Sequence, residues 1–280
     1  MYEKYYSLRM RPFSIFPDPG FLYLSRRHKV ALGLLEYGLG QAASFCVVTG
    51  PIGTGKTTLI RHVLGRTGAD MTVGLIANMH ITAGGLLPRI LLAFKLDTGV
   101  QTEIERLRIF SQFLEDLAAE GRRAVLIIDE AQNLPFEALE ELRMLSNLNA
   151  DTPVLQVILA GQPGLKTILC QPELEQFAQR VVVDYALEPL DRPDTRRYIR
   201  HRILVAGGKG EELFTEDACD TVYHYSNGVP RLINVLCETA LVYGFAEQTP
   251  VISAQLVHDV ADDRRRGGIF PLQGSGVSAA

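Results

Sequence analysis

Gly50-Pro51-Ile52-Gly53-Thr54-Gly55-Lys56-Thr57 fits the pattern G-x-x-x-x-G-K-[ST] at every fixed position. The apolar run Phe45-Cys46-Val47-Val48 precedes it, and a helical pattern starts near Thr57. Strand, loop and helix in that order are the context in which this pattern cradles phosphate. The glycines let the loop turn its N–H groups inward around an anion, and the following helix presents the positive end of its dipole. The pattern therefore assigns Gly50, Pro51, Gly53, Thr54, Gly55, Lys56, Thr57 and Thr58 to the phosphates of a nucleotide. Lys56 would reach the β- and γ-phosphates, the Thr57 hydroxyl would help hold Mg²⁺, and Thr58 would contact the α- or β-phosphate.

Further short apolar runs lie on the C-terminal side of the loop. They are Val73–Ile76, Val125–Ile128, Val154–Leu159 and Val181–Val183. Near-continuous apolar character is what a parallel strand covered on both faces requires. Helical spacing fills the gaps, with Ile104, Leu107, Phe110, Leu114 and Leu117 in one and Leu139, Leu142, Leu145 and Leu148 in another. Upstream, Ser25 opens a helical pattern with Val30, Leu34 and Leu35 on one face. Strands alternating with helices predict an α/β fold, a five-stranded parallel sheet sandwiched by helices. After about residue 190 only helical patterns remain, at 191–206, 215–226, 231–245 and 253–265, with Thr215 and Ser253 as N-caps and Asn227-Gly228 as a stop. The expected organisation is an aromatic- and Pro-rich arm at 1–24 packed on a domain, a nucleotide-binding α/β domain at 25–190, a small all-α lid domain at 191–266 and a disordered tail at 267–280.

The second chemical signal is Asp129-Glu130, at the end of the run Val125–Ile128. Doubly wound sheets bind ligands at the carboxyl ends of their strands. Asp129 would sit near Mg²⁺ through a water and Glu130 would polarise an attacking water. Alone, such a pair is as readily a helix N-cap; beside Lys56 that reading recedes, and the adjacent Asp-Glu pair favours ATP hydrolysis over transfer to a small acceptor. Gln162, after the run 154–160, could reach the γ-phosphate, and Asn78, after 73–77, could hydrogen-bond Glu130; each could equally be a polar loop residue. Arg180 is a candidate arginine finger for a neighbouring subunit's ATP, or a solvated arginine at a strand start. Arg231 could reach the γ-phosphate from the helical domain.

Composition narrows the partners. Lys+Arg is 28 and Asp+Glu 32, a formal net charge of −4, which argues against a generally basic nucleic-acid binder. The hydrophobic share of 47% excludes a mostly disordered chain. Cys46, Cys170, Cys219 and Cys237 form no CxxC, and Cys46 lies in an apolar run that suits a core thiol. No uncharged apolar stretch reaches the roughly 18 residues of a spanning helix. The segment 207–210, Gly-Gly-Lys-Gly, lacks a preceding strand and reads as a helix–helix turn.

With these residues in hand, the chain resembles an AAA+ ATPase. Its opening, Arg11-Pro12-Phe13-Ser14 through Pro17-Asp18-Pro19 and Phe21-Leu22-Tyr23-Leu24-Ser25, resembles that of the general secretion pathway protein A (ExeA-type) family. Asp129-Glu130-Ala131-Gln132-Asn133-Leu134, Leu159-Ala160-Gly161-Gln162-Pro163 and Gly228-Val229-Pro230-Arg231-Leu232-Ile233-Asn234 fit the same family, and the likeness runs over roughly residues 1 to 260. The resemblance implies that Lys56 and Thr57 are Walker A, Asp129 and Glu130 Walker B, Gln162 sensor 1, Arg180 the arginine finger, Arg231 sensor 2 and Asn78 the residue that switches the catalytic glutamate. It implies ATP and Mg²⁺ as cofactors and a homo-oligomeric ring or filament, because the finger comes from a neighbour. Longer members add a membrane helix and a peptidoglycan-binding domain; with a chain that stops short of both, no direct envelope-anchoring role is expected. The expectation is a cytoplasmic ATPase that reaches the inner membrane through a protein partner and drives a secretion, pilus or polysaccharide-export system. The alternative is a DNA-associated AAA+ regulator of the transposition type, against which the −4 charge weighs mildly.

Overall fold

A computed structural model describes residues 1–16, 18–66, 70–77, 85–96, 99, 102–148, 154–209 and 213–267. In chain order the elements are α1 (Tyr2–Tyr5), α2 (Arg26–Gly40), β1 (Phe45–Thr49), α3 (Lys56–Leu64), β2 (Met71–Ile76), α4 (Leu87–Ala93), α5 (Glu103–Ala119), β3 (Arg123–Ile128), α6 (Phe136–Leu145), β4 (Leu155–Gly161), α7 (Gly164–Leu169), α8 (Glu175–Ala178), β5 (Val181–Ala186), α9 (Arg192–Val205), α10 (Glu216–Ser226), α11 (Pro230–Ala246) and α12 (Ala254–Gly267). The chain divides into two compact units. One holds Arg27–Gly50 and Leu59–Leu187; the other holds Met1–Arg26, Pro51–Thr58 and Glu188–Ala280.

The first unit is built on a parallel sheet in the order β2-β3-β4-β1-β5. Its central strands are mostly apolar because both faces are covered: β1 and β4 are buried along their whole length. The edge strand β2 is apolar too, yet Val73 and Leu75 are exposed, since an edge strand has less to pack against. Phe45, Phe110, Leu114, Leu126, Leu139 and Phe177 belong to one continuous core. Gln156 is the polar interruption of β4. It is buried, and its amide donates to the carbonyls of Gly38 (3.3 Å), Leu39 (3.3 Å) and Ala43 (3.4 Å). Those carbonyls belong to the C-terminal turn of α2 and the loop beyond, where Gly38 also accepts the Ala43 N–H (2.9 Å) and Leu39 the Arg123 guanidinium (2.6 Å).

Helices form where the spacing predicts them, but not every apolar residue at that spacing is buried. The buried face of α2 is His28, Ala31, Leu32, Leu35 and Leu39, and Val30 is exposed. On α5 the buried residues are Phe110, Leu114 and Leu117, whereas Ile104 and Leu107 are exposed. Helical spacing says which residues share a stripe, not how far along the stripe a neighbour extends.

In the second unit α9 to α12 enclose a separate core that also takes in the N-terminal segment. Tyr2, Leu8, Phe13 and Phe21 are buried there with Ile199, Ile203, Phe214, Leu236 and Val257. Arg202 fixes the segment. Its guanidinium is buried, donates to the carbonyls of Pro12 and Ser14, and lies 4.7 Å from the Phe21 ring centroid. Planar, weakly hydrated Arg suits such a site, where backbone oxygens and a ring face replace water. The Thr215 hydroxyl accepts the Ala218 N–H (3.1 Å), and Ser253 Oγ accepts that of Leu256 (3.3 Å), so both predicted caps form. Asn227 and Gly228 have φ of 47° and 72° and stop α10 as expected. Among the described residues no helix is long and apolar enough to cross a membrane. The tail beyond Gly267 lies outside the described residues.

All four cysteines are free thiols. Burial pushes the Cys46 and Cys219 thiols up to about 11, and the fully buried Cys237 thiol well above its ordinary value. Cys170, at the C-terminal end of α7, is exposed.

Candidate nucleotide site

In the helical unit, the segment Pro51–Thr58 forms the predicted loop and the first residues of α3. Gly53 and Gly55 have φ of 83° and 96°, the left-handed region that glycine enters without a Cβ penalty. The Pro51 carbonyl is the loop's hub. It accepts the Thr54 hydroxyl (2.9 Å) and the Lys56 ammonium (3.1 Å). Thr54 and Lys56 are buried, while Thr57 and Thr58 are half-buried at the start of α3. Gly53 has a second reason to lack a side chain. Its carbonyl accepts the Arg231 N–H (3.3 Å), and a Cβ there would lie 2.6 Å from Cβ of Arg231. Thus the loop backbone packs against the first turn of α11, where the Arg231 side chain is exposed.

The donor set fits a nucleotide's phosphates. A left-handed glycine loop, a buried ammonium folded across it, two threonine hydroxyls and a helix N-terminus are anion-binding chemistry.

In the sheet unit, β1, β3 and β4 run parallel, so their carboxyl ends lie side by side. Gly50, directly after β1, donates its N–H to the Gly161 carbonyl (3.1 Å) at the end of β4. Asp129 follows β3, its N–H bonded to the Ile76 carbonyl (2.9 Å) and its Oδ1 accepting the Glu130 N–H (2.9 Å). Glu130 has φ of 53°, a left-handed conformation that costs a non-glycine residue free energy and turns its side chain out of the strand direction. Its Oε2 accepts Gln132 Nε2 (2.5 Å) and, more weakly, Gln162 Nε2 (3.4 Å). The structure thus brings Glu130 and Gln162 together. Gln132, which the sequence reading gave no role, joins them: its Oε1 accepts the Gln162 N–H (2.8 Å).

Arg180 immediately precedes β5 and donates to Ser146 Oγ (3.0 Å) and Asn147 Oδ1 (2.5 Å) just past the end of α6. Asn78 lies outside the described residues.

Comparison with known proteins gives these features a family. A profile described as AAA domain matches residues 39–169. General secretion pathway protein A of Aeromonas hydrophila is 42% identical over 251 residues, 88% of this chain and 45% of that protein. By these comparisons the chain is similar to AAA+ ATPases of the general secretion pathway protein A type. It spans less than half the length of that relative. Solved structures share the fold of the AAA+ ATPase at low identity. ORC2 of Aeropyrum pernix, in its ADPNP-ADP complexes, aligns with a TM-score of 0.68 at 17% identity over 93% of this chain and 72% of its own. Cdc6p of Pyrobaculum aerophilum gives 0.64 at 16% over 89% and 71%. The Holliday junction branch migration motor RuvB of Thermotoga maritima gives 0.54 at 16% over 87% and 73%. The expected P-loop α/β fold with a helical C-terminal region is therefore the observed one.

Proposed function

We propose that this ATPase binds ATP with Mg²⁺ on the loop from Gly50 to Thr58, hydrolyses it with Glu130 as the group that activates water, and uses the cycle to assemble or remodel a secretion, pilus or polysaccharide-export system. The observation that carries the enzymatic reading is the Glu130 carboxylate, turned by a left-handed backbone and engaged by two amides at the carboxyl end of the sheet. Lys56 neutralises phosphate charge, and the Thr57 hydroxyl and Asp129 would hold Mg²⁺. The metal, when bound, supplies further neutralisation of the phosphate charge. Glu130 orients a water and takes its proton. Gln162 and Arg231 act as the polar and cationic sensors of the γ-phosphate, and Asn78 as the residue that switches Glu130. Arg180 serves a neighbouring subunit in a ring or filament, released from Ser146 and Asn147 on assembly.

The identity with general secretion pathway protein A supports the secretion half, with a cytoplasmic chain that meets the inner membrane through a protein partner. A DNA-associated role of the transposition type is the second reading, prompted by the fold shared with Drosophila ORC bound to DNA. The helix α9, with five arginines, weighs against it. Arg192 and Arg196 pair with Asp220, Arg196 and Arg200 with Glu216, and Arg197 with Asp194. Phosphate release by the purified chain tests the enzymatic reading. Lys56→Ala should weaken ATP binding by about 3 kcal/mol, roughly 150-fold in Kd, as charge-assisted bonds are lost. Glu130→Gln should keep ATP and lose turnover; unchanged hydrolysis removes Glu130 from its role. A duplex-DNA shift that weakens steeply with salt would instead support the DNA reading.

A further inference from the structure

Gln132 is neither a loop residue of the phosphate cradle nor one of the two carboxylates, yet both ends of its side chain are committed. Its Oε1 accepts the Gln162 N–H at 2.8 Å, and its Nε2 donates to Glu130 Oε2 at 2.5 Å. The chemistry of the partners fixes the orientation of the amide. A backbone N–H can only donate, so the oxygen must face Gln162; an ionised carboxylate can only accept, so the nitrogen must face Glu130. Flipping the amide would set donor against donor and acceptor against acceptor.

The surroundings are shaped for this bridge. Gln132 is half-buried, in the helical turn Ala131–Asn133 that begins directly after Glu130. Gly161 stands opposite, and a Cβ there would lie 3.0 Å from Gln132 Oε1 and 2.8 Å from Leu165 Cδ2. The glycine at the end of β4 therefore leaves room for the Gln132 amide. Glu130 itself cannot hold its aim through the backbone alone. It follows β3 in a left-handed conformation, and its side-chain torsions are free unless something grips the carboxylate.

We propose that Gln132 is a positioning residue: it ties the Glu130 carboxylate to the backbone at the end of β4, so that the water-activating group is held in one orientation and moves with the Gln162 strand end. This rests on the reading of Glu130 as the group that activates water. A carboxylate with an unfixed aim spends little of its time where a water can be deprotonated, and small misplacements of a catalytic group cost large factors in rate.

Five chains decide it: wild type, Glu130→Gln, Gln132→Ala, Gln132→Glu and the double variant Glu130→Gln with Gln132→Ala, each assayed for ATP turnover, for nucleotide affinity and for thermal unfolding. Gln132→Glu keeps an oxygen for the Gln162 N–H but loses the donor to Glu130, so it separates anchoring from aiming. The proposal expects both Gln132 variants to lower kcat by about 10- to 100-fold, with KM and ATP affinity within about twofold of wild type. Adding Gln132→Ala to Glu130→Gln should cause little further loss, because the two act as a unit. If either Gln132 variant turns over at the wild-type rate or faster, or loses ATP affinity in step with kcat, the positioning role is overturned. If Glu130→Gln itself turns over normally, the underlying reading of Glu130 falls, and this proposal falls with it. Loss of turnover in Glu130→Gln beside normal turnover in Gln132→Ala sinks the Gln132 role alone.

Discussion

Gly228 shows how a single backbone position can be fixed by its neighbours. Its φ is 72°, its carbonyl accepts the Leu190 N–H (2.9 Å), and a Cβ would lie 1.8 Å from the Leu190 carbonyl oxygen. No side-chain rotation relieves a clash between a Cβ and a backbone atom. Gly228→Ala should destabilise the helical unit by about 3 kcal/mol or more, adding backbone displacement to left-handed strain; denaturant unfolding measures it, and a loss under about 1 kcal/mol would mean that the Leu190 loop moves aside freely. The chemical residues differ in how they show themselves. Lys56, Thr57 and the Asp129-Glu130 pair stand out in the sequence because phosphate and metal chemistry demand particular side chains at fixed local spacing. Gln132 does not, because its partners come from the ends of two strands that neighbour each other only in the folded sheet. Its signals were a polar residue two places after Glu130 and a glycine directly before Gln162.

At the level of elements, the strands were legible for a physical reason: both faces of the central ones are buried, so they read as unbroken apolar runs. Gln156 is the exception inside β4, and its amide joins the sheet to the end of α2. Gln156→Leu keeps the side-chain volume but removes the amide from all three carbonyls; Gly38 keeps the Ala43 N–H and Leu39 the Arg123 guanidinium, so the Ala43 carbonyl loses most. It should cost about 1 kcal/mol, read by thermal or urea unfolding; a neutral result would show that the donors already at the α2 terminus suffice without Gln156. The helix faces were less legible. On α2 the buried stripe includes His28 and Ala31, and the β-branched Val30, an obvious core candidate by residue type, points to solvent. Between α9 and α10 the charges carry a pH signature. Hydrogen bonds from Arg192 and Arg196 hold the Asp220 carboxyl well below the usual carboxylate range. A depressed folded-state value means that its contribution is present above about pH 4 and is lost as the pH falls toward the folded-state value. Asp220→Asn should therefore unfold more easily than wild type at neutral pH, and the two unfolding curves should draw together on acidification. Parallel curves across the range would assign the acid sensitivity elsewhere.

For the whole molecule, the division into units does not follow sequence order. The N-terminal segment and the phosphate loop both pack within the helical unit, through Phe13 and Arg202 in one case and Gly53 and Arg231 in the other. Linear reading places an arm first and a lid last because it has only sequence distance to work with. Subunit number is the larger question, and Arg180 addresses it. Its guanidinium is tied to Ser146 and Asn147 of its own chain. If it also serves a neighbour's ATP, turnover per subunit should rise with protein concentration in the wild type and stay low and flat in Arg180→Ala, with ATP affinity unchanged. Concentration-independent turnover in the wild type would end the idea. The cysteines make assembly measurable without altering the chain. Cys46, Cys219 and Cys237 are buried, and burial pushes their thiols up, which keeps them out of the thiolate form that reacts. Cys170 alone is exposed. A maleimide dye should therefore attach at one place on the native protein, so that mixing donor- and acceptor-labelled pools and adding nucleotide turns subunit association into an energy-transfer signal.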